Sequence, residues 1–158
     1  MAAYVAVIGP ADADQTTCEL ARSVGGLLAA AGVTVVTGGL GGVMAAAADG
    51  ATSAGGVAVG LLPGADRADG SPHTVLLPTG LGELRNALLV RAADGVIAVG
   101  GSWGTMSEIA LAQRTGVPVV VLGGWSVHDE TGEPVDIPSA HSPESAVTTL
   151  LAAIHPPA

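Results

Sequence analysis

The sequence predicts a doubly wound, mostly parallel α/β sheet with helices on both faces, and three observations predict it. Short β-branched runs alternate with alanine-rich segments of helical periodicity, and glycine marks each change of type. Most of the short runs are continuously apolar rather than alternating, as strands covered on both faces are. The hydrophobic fraction of 49% against 12% charged supplies the apolar surface that a two-sided core needs. Together these give a single Rossmann-like domain over residues 1–158, with six or seven strands.

Strands are expected at Tyr4–Ile8, Val33–Thr37, Val57–Leu62, Thr74–Leu77, Val96–Val99 and Val117–Leu122. The first helix, Thr16–Ala31, opens with Thr16 and Glu19 at capping-box spacing and sets Ala21, Val24, Leu28 and Ala31 on one face. Cys18 in its first turn reads as packing. Further helices are expected over Val43–Ala54, Leu84–Ala93, Met106–Thr115 and Pro143–Ile154. The last has Ser142 as its cap, Pro143 in first position and Glu144 beside the positive end of the dipole. Pro63–Pro72 and Gly123–His141 read as loops, the second with a short extra strand near Val135–Ile137.

Composition excludes several function classes. A net charge of -9, from 14 acidic and 5 basic residues, repels a nucleic-acid backbone, and only 2% of residues are aromatic, so no nucleic-acid partner is expected. Every basic residue is an arginine: Arg22, Arg67, Arg85, Arg91 and Arg114. Without lysine there is no pyridoxal phosphate Schiff base and no Walker-type phosphate loop. One cysteine allows neither an intrachain disulfide nor a thiolate zinc cluster, which fits a cytoplasmic location. Residues 23–48 carry no charge, but their glycines fall at turn positions and the N-terminus lacks a signal-peptide pattern, so no membrane span is expected. His73, His128, His141 and His155 lack metal-ligand spacing, and no metal is assigned.

Two glycine-rich turns follow expected strands and open expected helices. One comprises Gly38, Gly39, Leu40, Gly41 and Gly42, with Met44 just beyond. The other comprises Gly100, Gly101, Ser102, Trp103, Gly104 and Thr105. In a parallel sheet both leave the C-terminal edge, where helix starts offer amides and positive dipole to an anion such as phosphate. Taken singly, either turn could be glycine serving tight geometry alone. Neither fits a dinucleotide fingerprint, since Met44 stands at the third glycine and Gly60 where a ribose-binding acid belongs.

Glu108 has two readings. Thr105 and Glu108 have capping-box spacing, so the carboxylate either reaches back to the Thr105 amide or faces the cleft as an acid, base or charge stabiliser. Arg85 either clamps a phosphate or base edge or pairs with Glu83, Asp94 or Glu108. Arg91 is expected to pair with Asp94 at helical spacing. Trp103 stacks on a flat ring or fills the cleft wall.

The segments GGLGGVM at Gly38–Met44, TGLGELRNALLVRAADGVIAVGG at Thr79–Gly101 and GSWGTMSEIALA at Gly101–Ala112 resemble the LONELY GUY family and its bacterial relatives, often mislabelled lysine decarboxylases. The resemblance runs from Tyr4 to Gly124. It implies a phosphoribohydrolase that splits a nucleoside 5′-monophosphate, such as a cytokinin ribotide, into free base and ribose 5-phosphate, with no cofactor required. It also implies a homodimer or larger assembly. The family's signature falls on Gly100, Gly101, Gly104, Thr105 and Glu108, its catalytic arginine on Arg85, and its other glycine motif on Gly38–Met44. This chain departs at Val99, where hydrolases have proline, and at Leu84 and Asn86, where they carry charges. A branch of molybdenum cofactor carrier proteins, which bind a pterin phosphate without chemistry, gives the alternative. Hydrolysis is the leading expectation because Arg85 and Glu108 are both present, and binding alone does not obviously require the glutamate.

Overall fold

The computed structural model describes residues 2–154; His155 lies outside them. The elements run β1 (Tyr4–Ile8), α1 (Gln15–Ala30), β2 (Thr34–Thr37), α2 (Val43–Ser53), β3 (Ala58–Leu62), β4 (Val75–Pro78), α3 (Arg85–Ala92), β5 (Gly95–Val99), α4 (Trp103–Thr115), β6 (Val119–Leu122), β7 (Ser139–Ala140) and α5 (Pro143–Ile154). The strands form one sheet in the order β4-β3-β2-β1-β5-β6-β7, with every pairing parallel.

Because successive side chains on a strand point to opposite faces, β1 feeds two cores. Val5 and Val7 enter the layer under α1, α2 and α5, while Ala6 and Ile8 enter the layer under α3 and α4. The chain leaves β1 toward β2 and leaves β5 toward β6, so the two central strands diverge at their C-terminal ends. That divergence opens a crevice, the topological switch point of an open α/β sheet. No helix among the described residues is long and apolar enough to cross a membrane.

Three local expectations are corrected. Helix α1 is capped by Asp14, whose side chain accepts from the Thr17 amide at 2.7 Å, and not through the Thr16–Glu19 box. Glu19 instead accepts from the side-chain amide of Gln15. The seventh strand is Ser139–Ala140 rather than Val135–Ile137. Asp129 folds its own turn by accepting from Thr131 and Glu133, and Val135 then bonds back to Val127, so this stretch makes a small hairpin away from the sheet. Arg91 makes no ion pair with Asp94, whose carboxylate accepts the Tyr4 amide at 2.8 Å. The ion pair found among the described residues is Arg22–Asp49 at 2.6 Å, with both partners half-exposed.

Helices α1 and α2 meet through reciprocal notches. A Cβ on Gly25 would overlap the Ala47 carbonyl, and one on Gly50 would overlap the Arg22 carbonyl. No rotamer relieves a clash with backbone, so Gly50→Leu is expected to separate the helices and destabilise the protein by about 1–3 kcal/mol. Urea denaturation reads this as a lowered midpoint at unchanged slope.

Candidate functional site

The two glycine turns and the first βα turn converge on the crevice. Its walls include Ile8 and Gly9 from the end of β1, Gly38 and Met44 from the first glycine turn, and Ser102, Gly104 and Thr105 from the second. Arg85 and Glu108 face into the same space, a cavity of about 200 Å³. Of the expected site residues, Gly39, Gly41, Gly42, Gly100, Gly101 and Trp103 lie outside this lining. Gly39, Gly42 and Gly100 adopt positive φ of 77°, 57° and 71°, so their local work is to turn the chain.

Helix α4 begins earlier than its sequence pattern indicates. Ser102 is the N-cap, accepting the Thr105 amide at 3.2 Å, and its hydroxyl lies 2.9 Å from that of Thr105. The capping-box reading of Thr105 and Glu108 is therefore corrected. With Thr105 already in the first turn, Glu108 is too far along the helix to cap it. Thr105 and Glu108 are both buried. The carboxyl of Glu108 thus stands free of the cap, on the helix face that meets the cleft.

Arg85 opens α3 and is 7% exposed. Its guanidinium lies so close to Gly38 that a Cβ there would collide with it and with the Met44 sulfur. None of the proposed structural pairings, with Glu83, Asp94 or Glu108, is made: no carboxylate among the described residues comes within salt-bridge distance of Arg85. Its Nε is buried with no hydrogen-bond partner. A polar nitrogen in that state normally has an acceptor, supplied by protein, water or ligand.

The two charges respond to each other across the gap. Burial pushes the Glu108 carboxyl up to about 7, with the Arg85 cation acting in the opposite direction. Burial likewise lowers the Arg85 guanidinium, and the Glu108 charge opposes that shift. The site therefore joins a buried cation to a carboxyl that exchanges its proton near neutrality, beside a helix start. Such an arrangement suits an anionic ligand.

Trp103 is 82% exposed and meets Trp125 edge-on, with ring centroids 4.9 Å apart. It is not part of the cleft lining, although Ser102 and Gly104 on either side of it are. Trp125 in turn presses on Gly101, where a Cβ would fall 2.8 Å from the indole. The sequence reading missed Gly9 and Ala11, which line the cleft, and Asn86 and Leu89 of α3. The signal for the first two was present: Gly9-Pro10 directly follows the strand that becomes the sheet's centre. Among the described residues no group of histidine, cysteine and carboxylate side chains could hold a metal ion.

Comparison with known proteins gives the chain's family and its structural relatives. A model of the SLOG cluster4 family matches residues 2–147. An uncharacterized protein of Archaeoglobus fulgidus is 38% identical over 138 residues, covering 84% of this chain and 91% of that one. Among solved structures, the molybdenum cofactor binding protein of Rippkaea orientalis superposes with a TM-score of 0.87 at 31% identity, covering 98% of this chain and 99% of the other. The molybdenum cofactor carrier protein of Chlamydomonas reinhardtii gives 0.78 at 30% identity, covering 96% and 99%.

The raised carboxyl has a stability signature. Its folded value of about 7 lies above the ordinary 4.5, so the unfolded chain gives up this proton first as pH rises, and stability falls between those two values. Ligand-free Glu108→Gln is expected to be more stable than the parent above pH 7, by on the order of 2–3 kcal/mol. The difference should close toward pH 4.5, read from urea midpoints at the two ends.

Proposed function

Because the chain belongs to the SLOG cluster4 family, we propose that its cleft binds a phosphorylated small molecule and carries it without chemical change, a pterin phosphate of the molybdenum cofactor type being the favoured ligand. The observation that carries this reading is the buried guanidinium of Arg85, which lines the cleft against Gly38 with no carboxylate in salt-bridge distance. A phosphate would give that cation its counter-charge and acceptors, and the start of α4 adds amides and the Thr105 hydroxyl. The likeness to the Rippkaea and Chlamydomonas proteins over nearly the whole chain supports a carrier. At about 200 Å³ the cleft is smaller than an ordinary ligand site, so it takes the phosphate end and leaves the ring outside.

Overall acidity is compatible with such a ligand. A polyanion feels the whole net charge of -9, whereas a single phosphate feels Arg85 and the helix start at short range. A small molecule is therefore favoured over nucleic acid, and the single cysteine goes with a cytoplasmic carrier. Protonated Glu108 can donate to a phosphate oxygen, so binding takes up a proton.

Ribose 5-phosphate and molybdopterin are the probes, followed by calorimetry. Arg85→Ala is expected to weaken both by roughly ten- to a hundredfold, the cost of a lost charged hydrogen bond. For the parent, affinity for either should fall as pH rises through about 7, and Glu108→Gln should lose that particular dependence. Unaltered affinity in Arg85→Ala would refute the reading.

One observation favours a second reading, nucleoside 5′-monophosphate hydrolysis: a carboxyl titrating near neutrality beside a cation is poised for acid–base work. Glu108 would then stabilise the developing positive charge on the ribose and direct water to it. Release of ribose 5-phosphate from a panel of monophosphates, lost in Glu108→Gln, decides for this reading; its absence with tight binding decides for the carrier.

Self-association completes the proposal. Leu81 and Leu84, in the turn leading into α3, and Leu88 on α3 itself are exposed, Leu84 by 74%, beside the Arg85 and Asn86 that α3 contributes to the cleft. A second copy covering this strip would remove it from water. Sedimentation should show an oligomer that Leu84→Glu reduces to monomer; a monomeric parent would exclude it.

A further inference from the structure

The first glycine turn is held from outside the cleft by a histidine that the site itself does not use. Thr37 ends β2 and is wholly buried. Its hydroxyl accepts the Gly39 amide at 2.9 Å and lies 2.6 Å from Nε2 of His73. The other ring nitrogen, Nδ1, lies 2.9 Å from the carbonyl oxygen of Ser71. Ser71 then grips the far side of the turn: its amide donates to the Gly39 carbonyl at 2.9 Å and its hydroxyl to the Leu40 carbonyl at 2.8 Å.

These partners decide the tautomer. A carbonyl oxygen only accepts, so Nδ1 carries the proton and Nε2 offers its lone pair. The Thr37 hydroxyl donates to Nε2, which leaves its oxygen free to accept from Gly39. Both peptide groups of Gly39 are thereby pinned, N–H through Thr37 and C=O through Ser71. Gly38, between Thr37 and Gly39, is the residue that admits the Arg85 guanidinium. Gly60 on β3, which stands where a dinucleotide fingerprint would have its ribose-binding acid, is explained by the same clamp. A Cβ there would fall 2.9 Å from the Gly39 Cα and 3.1 Å from the His73 ring.

We propose that His73 is a positioning residue: as the neutral Nδ1–H tautomer, clamped between Ser71 and Thr37, it locks the Gly38–Gly42 turn and so places Gly38 against the guanidinium of Arg85. The consequence for ligand rests on the cleft reading given above; the clamp itself does not. Proton gain at Nε2 sets a second hydrogen between that nitrogen and the Thr37 oxygen, and a buried hydroxyl must then turn away. The groups around the ring are Thr37 on β2, Gly60 on β3, Leu76 on β4, and Ser71 and Gly39 in the adjoining turns, none of them charged. Burial lowers His73 below its usual 6.5, against the Ser71 hydrogen bond. The clamp is accordingly intact above pH 6.5 and is lost only as pH falls through the lowered value of the ring.

The test uses the full-length chain, first without ligand. Nitrogen chemical shifts of the His73 ring are expected to show Nδ1–H at pH 7. Amide exchange at Gly39, compared at one pH, should be about tenfold faster in His73→Phe than in the parent, the effect of losing one hydrogen bond. In His73→Gln, whose carbonyl can accept from Thr37 without titrating, exchange should return toward the parental rate. An Nε2–H tautomer, or equal Gly39 exchange in all three proteins, would overturn the proposal.

The second arm measures ribose 5-phosphate affinity at pH 7 and pH 5. The parent should lose affinity relative to His73→Gln at the lower pH, a comparison in which the titrations of Glu108 and of the ligand cancel. Identical profiles would sever the clamp from the cleft. Normal exchange behaviour with no binding in any of the three proteins would instead remove the phosphate reading and leave the clamp standing.

Discussion

A guanidinium held inside a protein with no carboxylate in bonding distance, facing a carboxyl that is itself buried, is costly to fold. Arg85 and Glu108 are in that position, and much of the molecule is arranged around them. The cation needs room, and Gly38 gives it by having no side chain. The carboxyl needs a helix that has already begun, and Ser102 starts α4 early enough to free Glu108 from capping. The two are brought face to face because α3 and α4 share one face of the sheet and β5 lies next to β1. A fold that keeps such an arrangement sacrifices stability for a place where an outside group completes the hydrogen bonding.

Under the proposed reading, that arrangement is how an acidic protein would accommodate an anion. Attraction over long distances is not available to a surface carrying this excess of carboxylates, so recognition depends on short-range contacts that water and salt do not screen. A carboxyl that takes up a proton near neutrality removes one repulsive charge when an anion arrives, and gains a donor in doing so. The same property serves catalysis, which is why the residue pair alone does not separate a carrier from a hydrolase. The distinction lies in what reaches the cleft and whether water can attack it.

The sheet was legible in the sequence because buried parallel strands are written as unbroken apolar runs, and both glycine turns were legible because they interrupt those runs. Arg85 and Glu108 stood out for a related reason: charges are rare in this chain, and these two each follow a glycine turn within four residues. What could not be read depended on partners distant in sequence. The cap of α4 moved from Thr105 to Ser102 because local spacing permits both and tertiary packing selects one. The hairpin over Val127–Val135 arises from Asp129 satisfying its own turn, which leaves β7 to the less apolar Ser139–Ala140. His73 gave no sign in its own surroundings, since Thr37, the partner through which it reaches the glycine turn, lies 36 residues earlier.

The chain has two tryptophans, and they touch each other beside the second glycine turn. Trp125 rests on Gly101, and Trp103 is flanked by two residues of the cleft wall. Its near-ultraviolet emission consequently comes from a single locality, with one tyrosine and no phenylalanine elsewhere to blur it. The molecule carries its own optical gauge at the rim of its cleft, and local rearrangement there can be followed in the unlabelled protein.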